Sequence, residues 1–168
     1  MPAGSSETTG NDAARQLLRH TVATVAYRGG KVLRGVPPGF ATFSIGPGTR
    51  MPIAILAHIN DLFDWACHLA EGRHVWHSSS PGDWDAEVTR FHAGLARFDE
   101  RLADGQPLGN TPDALFQGPV ADALTHIGQL ALLRRCAGGP VRAENYFKAS
   151  IATGRVGSDQ PPSNVEFD

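Results

Sequence analysis

A chain of 168 residues is long enough for one domain with a proper core, and the reading is a single domain over residues 1–168 with tails at 1–10 and 155–168. A formal net charge of −2 and a charged fraction of only 19% leave no Lys/Arg stripe to neutralise phosphates, which argues against a nucleic-acid partner. Apolar runs such as IAILA fall far short of the ~20 residues a membrane span needs. The first ten residues lack a basic start followed by an apolar run, so the expected location is cytoplasmic.

Helical periodicity marks four long segments separated by Gly/Pro-rich breaks. The first runs from about Asp12 to Leu33, with Ala14, Leu18, Thr21, Val25 and Val32 on one face, and ends at RGVPPGF, where two prolines forbid continuation. The loop GFATFSIGPGT leads into the second, about Arg50 to Glu71, stopped by Gly72. After GRHVWHSSSPGD comes the third, about Asp83 to Ala103, in which Trp84, Val88, Phe91, Leu95, Phe98 and Leu102 keep a heptad-like spacing. The fourth opens on Thr111 as N-cap with Pro112 at its first position and runs to about Ala137, with a kink expected at Gly118-Pro119. AENYFKASI suggests a short extra C-terminal helix. With no run suited to a sheet, the fold class is all-α, a four-helix bundle.

Polar residues on the wrong face are the functional signal. At ~100° per residue, His126 lies within ~20° of Leu115 and Leu133, and Asp122 lies ~40° to its other side, so both share the apolar stripe of the fourth helix. In the second helix His58 lies within ~20° of Met51, Trp65 and Leu69. Two imidazoles and a carboxylate sent inward from two helices are a donor set for Zn²⁺, Ni²⁺ or Fe²⁺, with a position left for water or substrate. Histidines in such places also serve as hydrogen-bonded core residues, and the spacing alone leaves both readings open.

The same residues carry a resemblance. LAHINDLFDW around His58 and HIGQ at residues 126–129 resemble the motifs of the DinB-like superfamily of metal-dependent proteins, and LLRRCAGGPVRAENYFKASIATGRVGSDQ is similar to the stretch that follows them there. Asp122 stands where the family often has the first histidine of a His-x-x-x-His-x-x-Gln run. The resemblance covers about residues 12–160 and implies an up-down-down-up bundle, usually a homodimer, with a divalent metal near one end held by His58, Asp122 and His126. It further implies a metal-dependent enzyme acting on a small molecule. A thiol-dependent transferase using a low-molecular-weight thiol, or a hydrolase, leads; the alternative is a non-catalytic metal-binding or structural dimeric bundle with a decayed site.

Asp61 and Gln129 each sit three positions beyond a ligand histidine, where they can orient the imidazole from behind or simply border the buried stripe. His74, Trp76 and His77 lie in a loop suited to rim a substrate mouth; His20 and His92 read as boundary residues. Trp65 lies on the inward face of the second helix as a wall of the pocket or as plain core. Cys67 falls ~180° from His58 and is a poor catalytic thiol. With no CxxC spacing, Cys67 and Cys136 read as small buried thiols.

Overall fold

The computed structural model describes the backbone of residues 4–167 and the side chains of residues 12–167. Helix α1 spans Gly4–Leu33, α2 Pro52–Ala70 and α3 Trp84–Ala103. The fourth rod consists of α4, Pro112–Leu115, a π-helical turn, Phe116–Val120, and α5, Ala121–Cys136. Among the described residues the only β pairing is one antiparallel bridge, Glu144 to Glu166, and no helix is long and apolar enough to cross a membrane.

The helix ends follow local chemistry. The Asp83 carboxylate accepts the Ala86 N–H at 2.8 Å and Thr111 Oγ1 accepts that of Ala114 at 3.3 Å, satisfying backbone donors that have no partner inside their helices. Pro52 and Pro112 occupy first-turn positions, where a missing N–H costs nothing. Pro119, placed inside the rod, would collide with the carbonyl four residues back; the helix widens by one residue into the π turn and continues. This is the kink expected at Gly118-Pro119.

Two boundaries differ from the sequence reading. Helix α1 begins at Gly4 rather than near Asp12, because residues 4–11 contain no proline and adding a residue to an existing helix costs far less than starting one. The extra C-terminal helix is only a 3-10 turn, Tyr146–Lys148. Its helical bonds are pre-empted: the Asn145 N–H goes to Val165 O at 3.0 Å, and the Asn145 side chain accepts the Phe147 N–H at 3.2 Å. Residues from about 140 onward instead strap the outside of α1. Buried Glu144 accepts hydrogen bonds from Tyr27 (2.6 Å), Lys31 (2.8 Å) and Ser163 (2.9 Å), and Lys31 also reaches Glu166.

α3 and α5 each pack against both α1 and α2, which places α1 and α2 diagonally. Phe91, Leu95, Phe98 and Leu102 on α3 are fully buried or nearly so, with Phe63 of α2 edge-on to Phe91 and tilted against Phe98. Each such side chain contributes about 1.5–3 kcal/mol by leaving water. Gly29 lets α1 approach α3: a Cβ there would stand 2.5 Å from Phe91 Cζ. Between α2 and α3, Arg90 bonds Asp61 and Asp64, Arg97 pairs with Asp64, and Arg101 donates to Ala70 O. Between α1 and α3, Arg19 makes a two-bond fork with Asp99 at 2.9 Å. Arg134, 6% exposed, donates to the carbonyls of Val32, Arg34, Gly35 and Gly139, fastening the C-terminal ends of α1 and α5 together.

Candidate metal centre

His58 lies in the second turn of α2; Asp122 and His126 lie one turn apart at the start of α5, directly after the π turn. The packing of α2 on α5 brings all three together, with one ligand atom from each within 4.8 Å of the others. Asp122 Oδ2 stands 3.5 Å from His58 Nε2, and Asp122 Oδ1 stands 3.4 Å from His126 Nε2. The two imidazoles meet edge to face, with centroids 4.7 Å apart.

Gln129 Oε1 stands 2.9 Å from His126 Nδ1 and holds the ring so that Nε2 faces Asp122. That separation of 3.4 Å is longer than a well-formed hydrogen bond. Two donors placed about 2.0–2.1 Å from one Zn²⁺ at the tetrahedral angle stand about 3.3–3.4 Å apart. The 3.4 and 3.5 Å separations are of that size, each to a different oxygen of Asp122, so the carboxylate spans the two imidazoles. Burial, then the neighbouring His126, hold the His58 pKa below its ordinary value, with Arg50 adding to this against the opposing pull of Asp122. His58 is therefore neutral near pH 7, the form that ligates.

The set is less enclosed than the helical wheel suggested. The side chains of His58, His126 and Asp122 are 23%, 13% and 45% exposed. They stand at the edge of the core, not within it, because the π turn ends one residue before α5 and Asp122 falls in the first turn beyond it. Partly in water, these groups carry little of the cost of burying bare polar atoms.

The surroundings shape a mouth. A cavity of about 470 Å³ opens beside the imidazoles, lined by Ile45, Ile55, Leu132 and Leu133 with Thr49, Arg50 and Gln129 among its polar groups. A smaller one of about 210 Å³, bordered by Ser78 and Ser79, shares Arg50 and His58 with it. Trp76 sits edge-on to His58 at 5.8 Å, so the loop after α2 does rim the site. Trp65 packs against Trp76 and His74 behind it.

Other candidates fall elsewhere. Asp61 does not orient His58: its carboxylate accepts the Ser79 N–H (3.0 Å), the Ser79 hydroxyl (2.8 Å) and Arg90 (2.6 Å), pinning the loop to α2 and α3. His74 and His77 form no metal cluster among the described residues. His92 Nδ1 contacts Val156 O at 3.2 Å and exposed His20 contacts Thr153 at 3.4 Å, both on the strap side. Cys67 lines a separate crevice with His68 and Arg97, and burial pushes its thiol up to about 11. Cys136 is exposed, against the expectation of a buried thiol. Sequence reasoning overlooked Arg50, whose only signal was a cation just ahead of Pro52. The chain matched no family model, no curated protein and no solved structure.

Proposed function

We propose that this chain is a DinB-like metal-dependent enzyme acting on a small molecule, in which Asp122, His58 and His126 hold one divalent cation, Zn²⁺, Ni²⁺ or Fe²⁺. The observation that carries the reading is the convergence of His58, Asp122 and His126, with one ligand atom from each within 4.8 Å of the others and the Asp122 oxygens 3.4–3.5 Å from the two histidine Nε2 atoms. An up-down-down-up arrangement fits the contacts. Asp61–Arg90, Asp64–Arg97 and Ala70–Arg101 run in step along α2 and α3, so these two point the same way, whereas Arg19–Asp99 and Gly29–Phe91 run α1 against α3.

The reaction class that best fits is a thiol-dependent transfer, with hydrolysis as its near relative. A bound divalent cation supplies Lewis acidity that lowers the pKa of a thiol or of water. Gln129 holds the His126 ring; Asp122 brings the negative charge that offsets the cation; the apolar wall of Ile55 and Leu133 keeps water from one side of the pocket. Cys67 faces another crevice as a protonated thiol, so the thiol is a low-molecular-weight one that enters with the substrate. A rival reading, a non-catalytic metal-binding or structural dimeric bundle, is favoured by one observation: Asp61, the other carboxylate beside His58, is committed to Ser79 and Arg90 and is no free general base.

Elemental analysis of protein purified without a histidine tag tests the premise. About one divalent cation per chain is expected, and it should be absent from a His58→Ala, His126→Ala double variant. Full occupancy in that double variant would refute the assignment.

A further inference from the structure

Among the described residues that line the two cavities Arg50 is the one Lys or Arg, and holding a metal does not call for it. The turn before it is built to fix its position. Gly46 (φ 148°) and Gly48 (φ 80°) adopt backbone conformations that favour glycine, and Thr49 Oγ1 donates to Gly46 O at 2.6 Å to close the loop. Met51 then caps α2 with extended backbone and Pro52 starts the helix, so Arg50 is held at the N-terminal end of α2, which itself carries partial positive charge. Arg50 and His58 are the two residues common to both cavities. Among the described residues no carboxylate pairs with Arg50, and its fork of donors faces solvent at the entrance.

The larger cavity is strongly apolar away from this end. Ile45 and Leu132, 53% and 56% exposed, border it together with Ile55 and Leu133, an apolar surface left open beside the imidazoles. At about 470 Å³ it has the size of a small-molecule site. We propose that Arg50 anchors the anionic end of the substrate, which is a small molecule with an apolar body and a carboxylate or phosphate group. The body lies along Ile55 and Leu133, which brings its reacting atoms beside His58 and His126. The inference deepens the metal-enzyme reading and rests on it for the role of the site, while the anchor itself is testable without metal.

The experiment follows binding of hexanoate, hexyl phosphate and neutral hexanamide to the full chain by NMR titration, in chelator-treated and in zinc-loaded protein, for wild type, Arg50→Gln and Arg50→Lys. In the wild type an anion should bind saturably and shift the resonances of His58 and His126. Arg50→Gln should weaken that binding by about tenfold or more, with Arg50→Lys falling between, while hexanamide binding stays the same in all three. Zinc affinity, read by competition with a chromophoric chelator, should not fall in Arg50→Gln, since the substitution removes a positive charge and no ligand. Preference for hexyl phosphate or for hexanoate identifies which anion the anchor takes. Equal anion affinity in wild type and Arg50→Gln, equal binding of hexanoate and hexanamide, or no saturable binding of either anion overturns the anchor. Failure of the wild type to bind zinc removes the metal reading alone, since the chelator-treated arm is read independently.

Discussion

Asp122→Asn separates a ligand from a bystander. In the metal-free chain the substitution should be mild: the carboxylate is 45% exposed, and among the described residues the basic groups near it are His126 at 3.4 Å and His58 at 3.5 Å. An exposed pair of this kind is worth about 1 kcal/mol or less, so the melting temperature should fall by no more than about 2–4 °C. With metal the outcome differs. At free zinc one hundred times Kd, binding stabilises the wild type by about 2.7 kcal/mol, which for a domain of this size is about 5–11 °C. Losing a residue that only supports a ligand typically costs 10–100-fold in affinity; losing a charged ligand should exceed that. A hundredfold loss brings zinc to roughly Kd, where the stabilisation is only about 0.4 kcal/mol, or about 1–2 °C. The assay is a thermal melt of tag-free, chelator-treated protein across a zinc titration. Asp122→His should keep most of the shift, since it restores a ligand atom one turn from His126. An equal zinc-induced shift in wild type and Asp122→Asn would show that Asp122 is no ligand.

Gln129→Leu removes the side-chain oxygen that holds the His126 ring from 2.9 Å and should lower zinc affinity by about 10–100-fold while leaving the fold intact, read by the same competition assay. The strap should be acid-sensitive. Burial pushes the Glu144 carboxyl up, but bonds from Lys31, Tyr27 and Ser163 outweigh it and hold its pKa below the ordinary value. A depressed folded pKa contributes stability above the unfolded value and loses it as pH falls through the folded one. Stability should therefore drop below about pH 4.5, and Glu144→Gln should flatten that part of a denaturation-versus-pH curve. The chain should also behave as a homodimer, with a mass by light scattering near twice the 17.9 kDa of one chain; a single-chain mass at micromolar concentration excludes it.

Four rods, the cap at Thr111 and the kink at Gly118-Pro119 were legible in the sequence because each depends on residues within a few positions of one another. The link from His126 to Gln129 was legible for the same reason, as three residues along a helix lie on neighbouring faces. A helical wheel assigns an angle within one helix and nothing about how far two helices slide or rotate against each other. Only the packing of α2 on α5 brings His58 to the Asp122 carboxylate, and only the π turn sets Asp122 at the solvent mouth instead of in the core. Asp61 shows the converse: three positions from His58 it had the right spacing for a supporting role, yet Ser79 and Arg90, 18 and 29 residues away, take its carboxylate. The C-terminal strap displaced an expected helix through contacts more than a hundred residues apart, Tyr27 and Lys31 with Glu144. Local chemistry determined the elements; the distances between donor atoms, on which a metal site depends, are set by long-range packing that no periodicity encodes.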